Sequence, residues 1–135
     1  IQELCYKTNM LASDISRELV RHDLTVIADS ADPRLIDEIF NEGVLIYPVQ
    51  KFAGSIMAGI MKMLEYNIHI IKGSENLERE LKNYTYIQDK AGNFINKPID
   101  AYNHCIDAAR YYVLGEILGR VSKVVDIKES DIAIW

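Results

Sequence analysis

Short apolar, β-branched runs alternate with amphipathic stretches along the first half of this chain, and that alternation restricts its fold more than any other feature. "TVIADS" (25–30) is apolar and then turns abruptly polar, and "DPRLIDEIFNEG" (32–43) follows with Asp32 as helix cap, Pro33 at the first helical position and Gly43 past the end. "VLIYPV" (44–49) is the next apolar run, "SIMAGIMKMLEY" (55–66) reads as a helix packing Ile56, Ile60 and Met63, and "IHIIK" (68–72) reads as a further strand. Upstream, "IQELCY" (1–6) has the makings of a strand, and "SDISRELVRH" (13–22) puts Ile15, Leu19 and His22 on one helical face behind a Ser13 cap. Strands separated by single helices predict an α/β architecture, with parallel pairs in the sheet and helices on its faces.

The pattern changes in the second half. "ENLERELKNY" (75–84) reads as a short charged helix, and "YTYIQDKAGNFINK" (84–97) as two strands around the turn "DKAGN". After Pro98 the sequence predicts a last long helix over 101–118, with Ile106, Ala109 and Val113 on the packed side and His104, Asp107 and Tyr111 on the opposite edge. No repeat, low-complexity tract or linker interrupts the chain. Its 135 residues, 49% of them hydrophobic, suffice for one buried core without disulfides or metal staples. No apolar run is long enough to span a membrane, and no signal segment opens the chain. Cys5 and Cys105 lie far apart with no C-x-x-C spacing, which fits free thiols in a reducing compartment. A net charge of −5 makes no general case for nucleic-acid binding, so such a role must rest on local residues or on parts outside this sequence.

In a mainly parallel sheet, ligands gather at the carboxyl ends of the strands. Asp29 ends the run "TVIAD", so its carboxylate is expected at that edge, either as a site residue or as the acceptor of an Asx turn. His104 and Asp107, three apart, share a helix face and can reach one ion, although a histidine and an aspartate near a helix start are also an ordinary solvated face. Carboxylates converging from different elements repel unless neutralised, and Mg²⁺ or Mn²⁺ with oxygen ligands is a usual solution; a pair of such ions suits phosphodiester hydrolysis. Neither G-x-x-x-x-G-K-[ST] nor G-x-G-x-x-G occurs. Cys105 beside His104 makes no nucleophile–base pair, because adjacent helix positions point about 100° apart.

Four blocks, "IADSADPRLIDEI", "YPVQKFAGSIMAGIMKML", "NLERELKNYTYIQDKAGNFINKPID" and "YNHCIDAARYY", resemble in order and spacing the C-terminal nuclease domain of the large terminase subunit of tailed bacteriophages. The likeness runs from about Glu3 to Tyr112. It implies a ribonuclease H-like mixed sheet with helices on both faces, and a metal-dependent endodeoxyribonuclease that cuts concatemeric double-stranded viral DNA during packaging. It implies Asp29 and Asp107 as catalytic metal-binding acids, His104 as a metal or phosphate contact, and Lys51 as a DNA-backbone contact. It further implies a site for two Mg²⁺ or Mn²⁺ ions in the intact protein, an upstream ATPase domain, the small terminase subunit and portal protein as partners, and action in the cytoplasm of the bacterial host.

No residue of this chain corresponds to the family's first catalytic aspartate. The chain opens on Ile1 in a segment expected to be the third strand, so it reads as a nuclease domain (1–118) lacking its first strands, followed by a tail (119–135), and as inactive or nearly so in isolation. Losing an anionic ligand should lower metal affinity sharply. Two alternatives stay open: a non-catalytic α/β module that docks other packaging components, and a different ribonuclease H-like nuclease such as a resolvase, which would not account for the 84–97 hairpin.

Overall fold

A computed structural model describes residues 1–119; the expected tail lies almost wholly outside them. Two three-residue strands, β1 (Val26–Ala28) and β2 (Ile46–Pro48), pair in parallel with Val26 opposite Ile46 and Ala28 opposite Pro48. Helix α2 (Pro33–Asn41) crosses between them, and α1 (Ala12–Val20) precedes β1. Then come α3 (Ser55–Met63), α4 (Glu75–Asn83), an antiparallel hairpin of β3 (Tyr86–Gln88) and β4 (Phe94–Pro98), and α5 (His104–Tyr112), which runs on into a π-helical turn over Val113–Ile117.

The core lies on both sides of the parallel pair, because successive strand residues face opposite ways. On one side Val26 and Ala28 pack with buried Ile46, Ile36, Ile39 and Val44 under α1 and α2. On the other, Ile27 meets Val49, Tyr111 and Leu114, so α5 and its π-turn cover the opposite face. This two-faced burial of β1 is the layered α/β arrangement that the alternating runs predict.

Local signals hold best in α2. The Asp32 carboxylate accepts the Leu35 N–H at 3.1 Å, Pro33 opens the helix, and Gly43 leaves it at φ +94°. The α1 start differs from expectation. Ser13 does not cap it; the helix begins at Ala12, and the Leu11 carbonyl accepts from Asp14 and Ile15. Residues 1–6 and 68–72 do not form regular strands either. Ile1 bonds to the backbone of His69 and Ile71, but two residues later the chain leaves that register and the Glu3 carboxylate caps α4 through the Asn76 and Leu77 N–H groups at 2.9 and 3.0 Å. A side-chain cap therefore replaces the next rungs of a ladder.

Glu80 repeats the device. It is 1% exposed, and its Oε2 accepts the Cys105 and Ile106 N–H groups at 2.7 and 3.2 Å, capping α5 from the inward face of α4. The last helix accordingly starts at His104 rather than at Ala101. No described helix is long and apolar enough to cross a membrane.

Candidate metal and nuclease site

Asp29 follows β1 directly, and Lys51 lies in the loop between β2 and α3, so the parallel pairing brings both to the same carboxyl edge of the sheet. Asp29 Oδ1 accepts the Ala31 N–H at 2.9 Å and the Lys51 ammonium at 2.6 Å. The turn reading of this residue is met, and the same oxygen carries an ion pair. Asp29 Oδ2 accepts the hydroxyl of Tyr111 from α5 at 2.8 Å, a bond between residues 82 apart in sequence. The sequence pattern put Tyr111 on an outward edge; it is instead 8% exposed, and its ring packs with Val49 and Leu114 while its hydroxyl reaches Asp29.

Burial by itself pushes the Asp29 carboxyl up. The hydrogen bonds from Lys51, Tyr111 and Ala31 outweigh it and hold the group below the usual carboxylate value. For Lys51 the balance is reversed in sign: burial pulls the ammonium down, and the bond to Asp29 with the charges around it lifts it above its ordinary value. Burial, the bond to Asp29 and the charge of Asp107 together raise the Tyr111 phenol. Asp107 lies one turn before Tyr111 on the same helix.

Asp107 has its own cation. Arg110, one turn along, donates Nε and Nη2 to Asp107 Oδ1 at 3.1 and 2.9 Å. The arginine side chain is 4% exposed against 23% for the aspartate. Its guanidinium also lies over the Tyr111 ring, 4.8 Å from the centroid, and its Nη1 has no hydrogen-bond partner among the described residues. Space for Arg110 comes from Gly59 on α3, where a Cβ would stand 2.4 Å from Arg110 Cγ.

His104 opens α5 and is exposed, with its ring edge-on to Tyr6 at 6.2 Å; its described ring contact is with that residue, and it hydrogen-bonds to neither acid. Beside it, Cys105 is the reverse of an activated nucleophile, since burial and then the charges of Glu80 and Glu3 push its thiol up to about 11.

Hard divalent cations take oxygen ligands. Asp29 and Asp107 suit one in kind, and Arg110 engages only Oδ1 of Asp107, but in number they fall short of a complete site. Among the described residues no group of three or more His, Cys, Asp or Glu is placed to hold a metal ion. Sequence reasoning singled out Asp29, Asp107, His104 and Lys51 but missed Arg110, which read as one more helix charge, and the bridging hydroxyl of Tyr111.

Comparison with known proteins gives the family of this fold. The profile of the "Terminase RNAseH like domain" family matches residues 4–114. The large terminase subunit of Bacillus phage SPP1 is 29% identical over 127 residues, covering 91% of this chain and 28% of that protein. The PBSX phage terminase large subunit of Bacillus subtilis strain 168 is 29% identical over 115 residues, covering 84% of this chain and 25% of that protein. The chain thus spans about a quarter of the length of these relatives. Among solved structures, the nuclease domain of the SPP1 large terminase with bound Mn superposes with a TM-score of 0.65 at 32% identity, covering 78% of this chain and 60% of that one.

Proposed function

Because this chain belongs to the terminase RNAseH-like domain family, we propose that it is part of the metal-dependent endonuclease of a phage large terminase, cutting concatemeric double-stranded viral DNA. The observation that carries this reading is the Tyr111 hydroxyl bound to Asp29, which ties α5, the element that carries Asp107, to the carboxyl end of β1. The Mn bound to the SPP1 nuclease domain supports metal dependence.

In this reading Asp29 and Asp107 supply carboxylate oxygens to Mg²⁺ or Mn²⁺, and a further acid from the longer protein completes the set. When bound, a pair of such ions would activate water and stabilise the leaving oxygen of the phosphodiester. The chain's own residues hold the geometry. Tyr111 fixes the Asp29 carboxylate through Oδ2, and Arg110 fixes Asp107 through Oδ1. Lys51 contacts the DNA backbone, and His104, one turn before Asp107, reaches a metal or a phosphate from the helix start. An ATPase domain, the small terminase subunit and the portal protein belong to the same assembly in the bacterial cytoplasm.

Each acid already has a cation, and two acids alone make no closed metal site, so the 135 residues by themselves are expected to be inactive. The same observation favours a second reading, a docking module without catalysis. The deciding experiment is Mn²⁺-dependent nicking of supercoiled plasmid by the whole protein, run beside its Asp29→Asn and Asp107→Asn variants. Cleavage by the wild type alone supports the nuclease; equal cleavage by either variant removes that acid from the site, and no cleavage by any of them favours docking.

A further inference from the structure

The two acid–cation pairs are built differently. Arg110 is buried, grips one oxygen with two nitrogens, and cannot leave without stranding a charge inside the protein. Lys51 and Asp29 are 41% and 43% exposed, joined by a single contact. Exposed pairs of that kind are weak, well within reach of a competing ion. The competing seat is also specific. Tyr111 occupies Oδ2 of Asp29, so Lys51 sits on the remaining oxygen, which it shares with a backbone N–H. A divalent ion on Oδ1 would face the ammonium across one atom, and like charges at that range exclude each other. Once released, the lysine is not stranded. Its ammonium lies 5.2 Å from the centroid of the Tyr111 ring, and its four-carbon stem starts from a loop at the exposed sheet edge.

We propose that Lys51 is an exchangeable counter-ion of Asp29: it holds Oδ1 until a divalent cation takes that oxygen, and the freed ammonium then pairs with a phosphate of the DNA backbone. This rests on the nuclease reading and adds to it a coupling in which metal occupancy creates one DNA contact. A lysine committed to Asp29 contributes nothing to phosphate binding, whereas a free one adds about one released counterion and about 0.9 to the salt slope.

The test uses the whole protein without nucleotide and titrates Mn²⁺ calorimetrically into the wild type, Lys51→Met, Asp29→Asn and a control, Lys62→Met, which removes an equal charge from the Lys62–Glu65 pair. Lys51→Met should bind Mn²⁺ about two- to fivefold more tightly, as expected from removing a competitor of that strength, and Lys62→Met should match the wild type. Duplex binding with Ca²⁺ should then show a salt slope steeper by about 0.9 for the wild type than for Lys51→Met, the two coinciding without divalent ion. Unchanged or weaker Mn²⁺ binding by Lys51→Met overturns the exchange, as does an equal gain in Lys62→Met. If Asp29→Asn keeps wild-type Mn²⁺ affinity, the metal reading itself fails; if it loses that affinity while Lys51→Met is unchanged, only the exchange fails.

Discussion

Replacing Asp107 should cost this domain more stability than replacing Asp29, although both are exposed enough to pass for interchangeable site acids. Arg110 is the reason. With Asp107→Ala, the Nε and Nη2 groups lose their acceptor, and Nη1 already has none among the described residues, so a guanidinium 4% exposed is left with the Tyr111 ring alone. Breaking a buried pair by removing one partner costs about 3–5 kcal/mol. The Asp107 side chain is 23% exposed, so water replaces part of the loss, and about 2–4 kcal/mol is expected. Asp107→Asn keeps an oxygen for Arg110 but loses the charge assistance, which points to about 1–2 kcal/mol. Asp29→Asn keeps an oxygen for the Ala31 N–H and turns an amide N–H toward the Tyr111 hydroxyl, which then accepts instead of donating, so the main loss is the exposed pair with Lys51, for about 0–1 kcal/mol. Urea unfolding of the three variants, read as midpoint shifts at constant m, measures the order directly. If Asp107→Ala costs no more than Asp29→Asn, Arg110 does not depend on this carboxylate and the account of the buried pair is wrong. The ranking also bears on activity work, because an inactive Asp107→Ala protein confounds lost chemistry with a loosened α5, whereas Asp107→Asn separates them.

The same packing makes Gly59→Ala costly. Its new Cβ would stand 2.4 Å from Arg110 Cγ, so about 1–3 kcal/mol of overpacking should exceed the gain of about 1 kcal/mol in helix propensity, and a thermal midpoint at or above wild type would refute the close approach. Cys105, with its thiol pushed up to about 11 by burial and by Glu80 and Glu3, should react with a disulfide reagent at pH 8 much more slowly than exposed Cys5, and both should react together in denaturant; equal rates in the folded protein would contradict the burial. Asp29 has a depressed folded value, so its contribution is present above the unfolded value and is lost as pH falls through the folded one. The stability difference between wild type and Asp29→Asn should therefore shrink below about pH 4, and a gap that stays constant down to pH 2 would count against the bonds at Asp29.

What the sequence makes legible is what short-range chemistry decides. Asp32, Pro33 and Gly43 mark both ends of α2, and "DKAGN" marks the hairpin, where Asp89 Oδ1 accepts from Ala91 and Asn93 and Gly92 takes φ +85°. The candidate acids Asp29 and Asp107 stand out for a related reason, one ending an apolar run and the other spaced from His104 by a helical turn. What stays hidden is set by distant partners. Glu80 and Glu3 look like surface charges, yet each turns to cap a helix that begins elsewhere in the chain. Residues 1–6 and 68–72 carry strand composition but not the continuous pairing that would make them strands. Periodicity ranks Tyr111 with His104 and Asp107, and only the packing of α5 over Ile27 and Val49 shows that one member of that face points inward.

That inward tyrosine also ties α5, which carries Asp107, to Asp29 at the end of β1. Each acid has its own cation, and the two cations differ in permanence. Arg110 is locked beneath Asp107 by Gly59 and the Tyr111 ring, so the α5 acid is oriented at all times. Lys51 rests on Asp29 from a solvent-exposed loop, so under the proposed exchange the β1 acid is the one whose charge is handed over. A site neutralised by two buried arginines would be stable and inert toward metal, and one with no cations would lose stability whenever metal was scarce. Unequal pairing avoids both outcomes, and under the proposed exchange the β1 edge, rather than α5, is the side at which an arriving divalent ion would first change the charge of the domain.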